Sequence, residues 1–302
     1  MKLNIFSGSI VCGDRKCNAN CPWCISKMTA KRTTVPQPEW DDFPIFCGLA
    51  KEFGATTMLL TGQGEPTLYP ELISKYLYEM NPVGKRGRGL FKLVELQTNG
   101  IGLLNMEDQL KKWHQQGLTL ICLSLAHFDS AKNQELMQAA ERLEIWDTVK
   151  FLTYLGFGVR INITMVKGGV DNENKVIELV DRCREFKSVT KNKRGLQITV
   201  RDVATPTDEE TRNPAVTETV KSLQVNLIEK LDRVMKFEKR AGKATELLRL
   251  PHGGVIWDWG GQNFCLNNCI TSDTNREEVR QLIFFPNGTI SYDWKYEAAI
   301  LL

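Results

Sequence analysis

The segment Cys17-Asn-Ala-Asn-Cys21-Pro-Trp-Cys24 carries the strongest signal in the chain, and it follows an apolar run, Lys2–Val11, that predicts a strand. Its spacing is C-x3-C-x2-C. Three closely spaced thiolates can hold three irons of a [4Fe–4S] cluster and leave the fourth iron open. Zinc and a metal-free cysteine-rich loop are the alternatives. Zinc sites usually pair two C-x2-C groups or combine Cys with His, and no His lies near this segment, so the spacing favours the cluster.

Outward from this segment, strand-like and helix-like patterns alternate. Apolar runs rich in β-branched residues predict six strands, and amphipathic stretches that end at glycines such as Gly54 and Gly117 predict the helices between them. This alternation implies parallel strands with right-handed crossovers. Six units make an α/β fold of the partial (β/α)6 barrel type, because a closed (β/α)8 barrel needs two more. The predicted strands are Lys2–Val11, Thr57–Leu60, Phe91–Leu96, Leu118–Leu125, Gly158–Val166 and Gly195–Val203. The predicted helices cover about Pro38–Phe53, Tyr69–Met80, Met106–Gln116, Asp129–Leu155 (one or two helices), Asn174–Phe186 and Pro214–Arg240.

The pattern changes after about residue 240. The run PHGGVIWDWGGQNF is rich in Gly and Trp, and Val279–Phe285 and Ile290–Trp294 predict a hairpin around Asn287-Gly288. We therefore predict a barrel over residues 1–240 and a C-terminal extension over residues 241–302 that covers the barrel mouth.

The composition is that of an ordinary globular protein, with 25% charged residues, 42% apolar residues and a net charge of +3 among 302 residues. This net charge is too small to indicate nucleic acid binding. The first residues do not form a signal peptide, and no stretch reaches the roughly 20 apolar residues of a membrane span. Nine cysteines without an export signal favour a reducing, cytoplasmic location in which grouped cysteines hold metals.

Several motifs in the expected order resemble the radical SAM superfamily, whose members use S-adenosylmethionine (SAM). The cysteine triad with Trp23 before its last Cys is the first of them. Thr61-Gly-Gln-Gly-Glu-Pro-Thr67 is similar to the family's GGEP motif, although Gln63 interrupts the first Gly-Gly. Leu96-Gln-Thr-Asn-Gly100 and Leu123-Ser-Leu125 end the third and fourth predicted strands as in family members.

The resemblance implies an enzyme whose [4Fe–4S] cluster, bound by Cys17, Cys21 and Cys24, chelates SAM and cleaves it reductively to a 5′-deoxyadenosyl radical that abstracts hydrogen from a substrate. It also implies SAM-binding residues at the carboxyl ends of the strands. The backbone carbonyls of Gly62 and Gly64 and the carboxylate of Glu65 would receive the methionine ammonium, and Trp23 and Val203 would contact adenine. The hydroxyls of Thr98 and Ser124 would bind the ribose or the carboxylate. Arg160 would neutralise the methionine carboxylate or a substrate anion.

The tail contains Asn263-Phe-Cys265-Leu-Asn-Asn-Cys269, followed by Arg276, Arg280 and the hairpin Phe285-Pro-Asn-Gly288-Thr-Ile. In this order of motifs it is similar to the MoaA-like branch, the GTP 3′,8-cyclases, which carry a second cluster on three cysteines. This chain departs from that pattern, because Cys265 and Cys269 have C-x3-C instead of C-x2-C spacing and no Cys follows Gly288. Asp293 is the candidate for an unusual third ligand. Cys12, Cys47, Cys122 and Cys183 are the remaining thiols that could approach. Because two thiolates rarely hold a cubane, a second cluster and GTP cyclisation proper are not favoured. His252, Trp257 and Trp259 are equally compatible with a substrate-stacking surface and with a Trp-rich core.

We expect a small polar metabolite or nucleotide as substrate and a flavodoxin- or ferredoxin-type electron donor. Peptide modification, RNA modification and an iron–sulfur scaffold without SAM chemistry are the alternatives. Two basic clusters fall in helix-to-strand connections, away from the predicted mouth, so we expect solvated loops there. The clusters are Lys85, Arg86 and Arg88, and Lys187, Lys191, Lys193 and Arg194. Lys167, Arg201 and Arg212 are the basic residues expected near the mouth, which makes RNA a less favoured substrate.

Overall fold

A computed structural model describes residues 2–28, 39–81, 90–190, 196–205, 211, 213–250, 253–267, 278–294 and 299–301. The first six strands are β1 (Lys2–Val11), β2 (Thr57–Thr61), β3 (Leu93–Thr98), β4 (Leu120–Leu125), β5 (Gly158–Met165) and β6 (Leu196–Asp202). They lie side by side in chain order, and each pair is parallel. The prediction of six parallel strands is confirmed.

Helices connect these strands, as the amphipathic pattern predicts. They are α1 (Ile25–Met28), α2 (Phe43–Glu52), α3 (Pro70–Met80), α4 (Glu107–Gln115), α5 (Ser130–Met137), α6 (Ile145–Tyr154), α7 (Glu173–Thr190), α8 (Pro214–Leu223) and α9 (Ile228–Arg240). Gly117, with φ of 101°, ends the turn after α4 in a conformation that favours glycine. None of the described helices is long and apolar enough to cross a membrane.

The predicted helix over Pro214–Arg240 is wrong in one respect, because the structure has two helices there, α8 and α9. Asn226 between them has φ of 51°, which interrupts the helical path. The Asp202 carboxylate at the end of β6 accepts hydrogen bonds from the backbone N–H groups of Leu227, at 2.9 Å, and Ile228, at 3.1 Å. A tertiary contact therefore caps the second helix at a point where the helical pattern continues.

The C-terminal region adds strands to both edges of the same sheet. Its strands are β7 (Ala244–Arg249), β8 (Val255–Trp259), β9 (Gln262–Leu266), β10 (Glu278–Phe284) and β11 (Ile290–Ser291). Strand β9 pairs with β6 and strand β10 pairs with β1, both in parallel, and the full order is β11-β10-β1-β2-β3-β4-β5-β6-β9-β8-β7. The predicted hairpin is confirmed, since β10 and β11 pair antiparallel.

The sheet has one apolar face against the helices and one polar face. On β5, Val159, Ile161 and Ile163 are fully buried in the main core, whereas Arg160 and Asn162 alternate with them and point to the opposite face. Arg160 reaches the side chain of Glu95 on β3 across the intervening strand β4, so the polar face is concave. The result is an open, partial barrel with a polar interior.

Candidate functional site

The cysteine loop, residues 12–24, follows β1 at the carboxyl end of the parallel strands. Its middle is tied to the end of α5, because the backbone N–H of Asn20 donates to the carbonyl oxygen of Met137 at 2.9 Å. From α1, the Nζ of Lys27 donates to the carbonyl oxygens of Asn20 and Cys21, both at 2.8 Å. The loop is thus anchored on both sides.

The three thiols of this loop are free and close enough to influence one another. Cys17 is exposed, and Cys21 and Cys24 are half-buried. Burial, followed by the neighbouring thiols of Cys24 and Cys17, raises the pKa of Cys21 to about 12. Burial also raises the pKa of Cys17, while the backbone N–H of Ala19 works in the opposite direction. A bound cationic centre lowers the pKa of thiols that face it, so it offsets the repulsion between neighbouring thiolates.

The arrangement fits an iron–sulfur cluster better than one metal ion. Among the described residues, no group of three His, Cys, Asp or Glu side chains converges on a single ion. Thiolates of a cubane each bind a different iron, so Cys17, Cys21 and Cys24 need only surround a common volume. The three thiols share one loop, and those of Cys24 and Cys17 both raise the pKa of Cys21.

Glu65 joins the ends of β2 and β3. Its side chain is 2% exposed, and Oε1 accepts from the Thr67 N–H at 3.0 Å, the Thr67 hydroxyl at 2.7 Å and the Thr98 hydroxyl at 2.6 Å. Oε2 accepts from the backbone N–H of Asn99 at 2.8 Å. Burial raises the pKa of Glu65, and these hydrogen bonds lower it. We call Glu65, Thr67, Thr98 and Asn99 the Glu65 junction. Protein donors already hold the carboxylate that the sequence assigns to the methionine ammonium.

Gly64 docks this junction against the cysteine loop. A Cβ at Gly64 would overlap the carbonyl oxygen of Lys16, so only glycine permits the backbones to approach this closely. The next N–H, that of Glu65, donates to the same carbonyl oxygen at 2.8 Å. Gly62 is also tight, because its Cβ would lie 3.1 Å from the carbonyl oxygen of Cys12. Two motifs that are far apart in the sequence therefore form one unit.

Asn99 is a site residue to which sequence reasoning assigned no role. Its Oδ1 accepts from the Ile101 N–H at 2.9 Å, and its Nδ2 donates to Asn18 Oδ1 at 2.6 Å. The same Nδ2 lies 3.8 Å from Cys17 Sγ, within hydrogen-bonding range of sulfur. Its position directly after Thr98, at the carboxyl end of a barrel strand, was the available signal.

Trp23 and Val203, which the resemblance assigns to adenine, belong to the same apolar group. Val203 follows β6, is 6% exposed and belongs to a small buried apolar cluster against which half-buried Trp23 packs. We call this cluster the apolar shelf. Its buried members are Met28, Ala126, Met137, Val166, Val203 and Val220, and several of them directly follow strands of the barrel.

Ser124 and Arg160 face the barrel interior at different depths. Ser124 is half-buried near the carboxyl end of β4 and lies opposite Asn162. Arg160 lies two residues before Asn162, further from the mouth. Its Nη1 pairs with Glu95 Oε2 at 2.6 Å, and its Nε and Nη2 donate to Gln197 Oε1 at 3.1 and 2.9 Å. Arg160 is therefore engaged by the barrel itself.

Further hydrogen bonds extend this pair into a polar floor. Gln97 Nε2 donates to Glu95 Oε1 at 3.1 Å, and the Thr61 hydroxyl donates to Gln97 Oε1 at 3.1 Å. Arg201 on β6 lies nearer the mouth, opposite Thr164, and its Nε donates to the Thr164 hydroxyl at 3.4 Å. Among the described residues, Arg201 has no carboxylate within ion-pair distance.

The second cysteine pair is only partly described. Cys265 lies within β9, is 9% exposed and is paired in register with Thr199 on β6. Burial raises the pKa of its thiol, while the cation of Arg160 lowers it. Cys269 lies outside the described residues, and Asp293 is half-buried after β11. The other candidate thiols, Cys12, Cys47, Cys122 and Cys183, are buried.

The remaining predictions concern aromatic and basic residues. Trp257 and Trp259 are 1% and 6% exposed in the main core, which matches the core interpretation, and His252 lies outside the described residues. Lys187 is not in a loop, because α7 continues past it, and its Nζ donates to the carbonyl oxygen of Gly261 at 3.1 Å. Other predicted basic residues lie outside the described residues, namely Lys85, Arg86, Arg88, Lys191, Lys193, Arg194 and Arg212, whereas exposed Lys167 follows β5.

Comparisons with known proteins agree with this architecture. GTP 3′,8-cyclase of Aquifex aeolicus (strain VF5) is 29% identical over 181 residues, which cover 58% of this chain and 51% of that protein. GTP 3′,8-cyclase of Staphylococcus haemolyticus (strain JCSC1435) is 28% identical over 176 residues, covering 56% of this chain and 48% of that protein. The chain thus spans about half the length of these relatives.

Among solved structures, anSMEcpe with bound AdoMet has a TM-score of 0.53 at 12% identity, covering 100% of this chain and 74% of that one. This likeness supports the fold. The family model described as the Radical SAM superfamily matches residues 14–183, which contain Cys17, Cys21 and Cys24, the Glu65 junction and strands β2 to β5. The chain belongs to the radical SAM superfamily.

Proposed function

We propose that this chain binds a [4Fe–4S] cluster through Cys17, Cys21 and Cys24, binds SAM beside it, and abstracts hydrogen from a small polar metabolite or nucleotide. When bound and reduced, such a cluster supplies the electron that cleaves the SAM sulfonium to methionine and a 5′-deoxyadenosyl radical. The observation that carries the proposal is the docking of the Glu65 junction on the cysteine loop through Gly64.

In this proposal the Glu65 junction shapes the site for the methionine part of SAM. Gly62 and Gly64 offer backbone carbonyl oxygens to the ammonium group, and Glu65 contributes its negative charge while the protein holds its carboxylate in place. The Thr98 hydroxyl stabilises that carboxylate. Ser124 remains our candidate for the ribose or the methionine carboxylate.

The apolar shelf supports the assignment of Trp23 and Val203 to adenine. Adenine needs a flat apolar surface, and Val203 supplies one at the barrel mouth with Trp23 beside it. The shelf lies next to the cysteine loop because Cys21 also packs against it.

The barrel interior supports a polar substrate. Ser124, Asn162 and Thr199 offer hydrogen-bonding groups between the polar floor and the mouth. The sequence assigns an anion to Arg160, but Glu95 already neutralises that guanidinium. We therefore reassign the substrate anion to Arg201, whose described partner is the neutral hydroxyl of Thr164. An arginine in this setting suits the phosphate of a nucleotide or a carboxylate.

We also propose that residues 241–302 form an extension that covers the mouth and that a flavodoxin- or ferredoxin-type protein delivers the electron. Strand β9 supports the first part, since it lies beside β6 and brings Cys265 to the edge of the interior. We do not propose a second cluster at Cys265 and Cys269.

The test begins with anaerobic reconstitution of the protein with iron and sulfide. We expect about four irons per chain, and reduction by dithionite in the presence of SAM should release 5′-deoxyadenosine. A triple alanine variant of Cys17, Cys21 and Cys24 should lose both the iron and the product. Cys47→Ala is the matched control, because Cys47 is a buried thiol on α2 away from the cysteine loop.

Retention of iron by the triple variant would refute the assignment of the ligands. A full cluster without release of 5′-deoxyadenosine would favour the iron–sulfur scaffold. GTP is the first substrate to test because the relatives are GTP 3′,8-cyclases. Stimulation of product release by a peptide or RNA, and not by nucleotides or metabolites, would contradict the small-molecule proposal.

A further inference from the structure

We infer that Asn99 is a positioning residue that raises the reduction potential of the cluster by donating an N–H hydrogen bond to the sulfur of Cys17. This inference rests on the proposed function, since it concerns the same cysteine ligand. The basis is the placement of buried Asn99 between the Glu65 carboxylate, which accepts from its backbone N–H, and Cys17 Sγ, which lies within hydrogen-bonding range of its side-chain NH2 group.

The orientation of the Asn99 amide follows from its partners. The Ile101 backbone N–H can only donate, so the atom that it contacts at 2.9 Å must be the amide oxygen. The amide NH2 group must then face the cysteine loop, where it donates to Asn18 Oδ1 at 2.6 Å. An NH2 group has two donors, and the second is available to Cys17 Sγ, 3.8 Å away.

Its surroundings hold Asn99 in this position. The residue is 7% exposed, and its backbone N–H donates to Glu65 Oε2 at 2.8 Å. Both ends of the contact are thereby restrained: the Glu65 junction holds the backbone, and the turn to Ile101 holds the side chain. The donor is therefore already in place before a cluster binds.

The expected effect on the cluster has a definite sign. Reduction adds one negative charge, part of which resides on the ligand sulfurs. An N–H donor to a sulfur stabilises the reduced form more than the oxidised form, so it raises the potential. The negative charge of Glu65 acts in the opposite direction on Cys17. Asn99 offsets this effect of Glu65, because its backbone N–H faces the Glu65 carboxylate and its side-chain NH2 group faces Cys17 Sγ.

Asn99→Ser and Asn99→Asp test this inference. Both side chains can still accept from the Ile101 N–H, but neither presents an amide donor to Cys17 Sγ. Asp also places a negative charge beside the thiolate. The measurement is an anaerobic redox titration of the reconstituted protein, followed by electron paramagnetic resonance of the reduced cluster. The potential should fall from wild type to Asn99→Ser and further to Asn99→Asp, with about four irons retained in each.

Asn18→Ala is the matched control. It removes the other described acceptor of the Asn99 amide and leaves the donor to Cys17, so its potential should stay near that of wild type. Wild-type potentials in both Asn99 variants, each holding a full cluster, would overturn the inference. Folded Asn99 variants that bind no iron would also overturn it, because Asn99 would then be needed to form the site. The absence of a four-iron cluster from the wild-type protein would instead refute the proposed function.

Discussion

The chain contains two C-x3-C pairs with the same spacing in very different surroundings. Cys17 and Cys21 lie on an exposed loop beyond a strand end, where N–H donors from Ala19 and Asn99 face the first sulfur. Cys265 lies inside strand β9, buried against β6, and its backbone is committed to sheet pairing. A metal cluster needs sulfurs that project into a common volume, and a loop provides this freedom where a paired strand restricts it.

The two pairs also differ in the contacts that support them. The first pair is held by the Glu65 junction, by α5 and by Lys27 on α1. The described neighbours of Cys265 are Thr199 on β6 and the cation of Arg160. Four experiments test this difference between the two pairs.

The largest expected effect is on iron content. Cys17→Ala should reduce the iron of the reconstituted protein from about four per chain to less than about one, because a cubane with two protein thiolates is rarely stable. Cys265→Ala should leave the iron content unchanged. Iron analysis with circular dichroism as a folding control measures both. Equal losses in the two variants would show that Cys265 contributes to a cluster.

Thiol labelling in the iron-free protein should separate the pairs by at least about tenfold. Iodoacetamide at pH 8 should modify Cys17 faster than Cys265, because Cys17 is exposed and Cys265 is 9% exposed. Burial raises the pKa of both thiols, so a larger fraction stays protonated at pH 8 than in an ordinary cysteine, and both rates should keep rising from pH 8 to 10. Mass spectrometry of tryptic peptides measures the rates. Similar rates at Cys17 and Cys265 would contradict the contrast in accessibility.

Glu65→Ala should lower the free energy of unfolding by about 3–5 kcal/mol, because it leaves buried donors of Thr67, Thr98 and Asn99 without an acceptor. Thr199→Val beside Cys265 should cost less than about 1 kcal/mol. Urea unfolding of the iron-free proteins measures both. A small loss in Glu65→Ala would show that the Glu65 junction does not hold the strand ends together.

The smallest expected effect comes from Lys27→Met, which removes the hydrogen bonds from Nζ to the carbonyl oxygens of Asn20 and Cys21. A loss of about 1 kcal/mol should speed local opening of the cysteine loop about fivefold. Hydrogen exchange should show faster exchange in residues 17–24 and no change in β9. Unchanged exchange in the loop would mean that its anchor to α5 suffices.

Much of the fold follows from the sequence pattern. The apolar alternation of Val159, Ile161 and Ile163 marks β5 with its inner and outer faces, and similar patterns mark its neighbours. The pattern did not predict that β10 would pair with β1 or β9 with β6. These pairings join strands that are far apart in the chain. The apolar periodicity of a segment predicts that it is a strand but does not identify the strand with which it pairs.

The site shows the same division. Cys17, Cys21, Cys24 and Glu65 stand out from their spacing and motifs, whereas Asn99 acquires a role only through its contacts with the cysteine loop. The charge of Arg160 is visible in the sequence. Its pairing with Glu95 is not, because the two residues lie 65 positions apart and meet only across the curved sheet.

Cysteine spacing, the order of strands and helices, and the strand-end motifs can be read from the amino-acid sequence, because each depends on residues close together in the chain. The folded sheet is needed to establish which donors face Cys17, which arginine is already neutralised, and where the C-terminal strands pair. These depend on the order, register and curvature of the sheet, which bring Asn99 to the cysteine loop and Glu95 to Arg160. The same C-x3-C spacing therefore stands on an exposed loop at Cys17 and in a buried strand at Cys265.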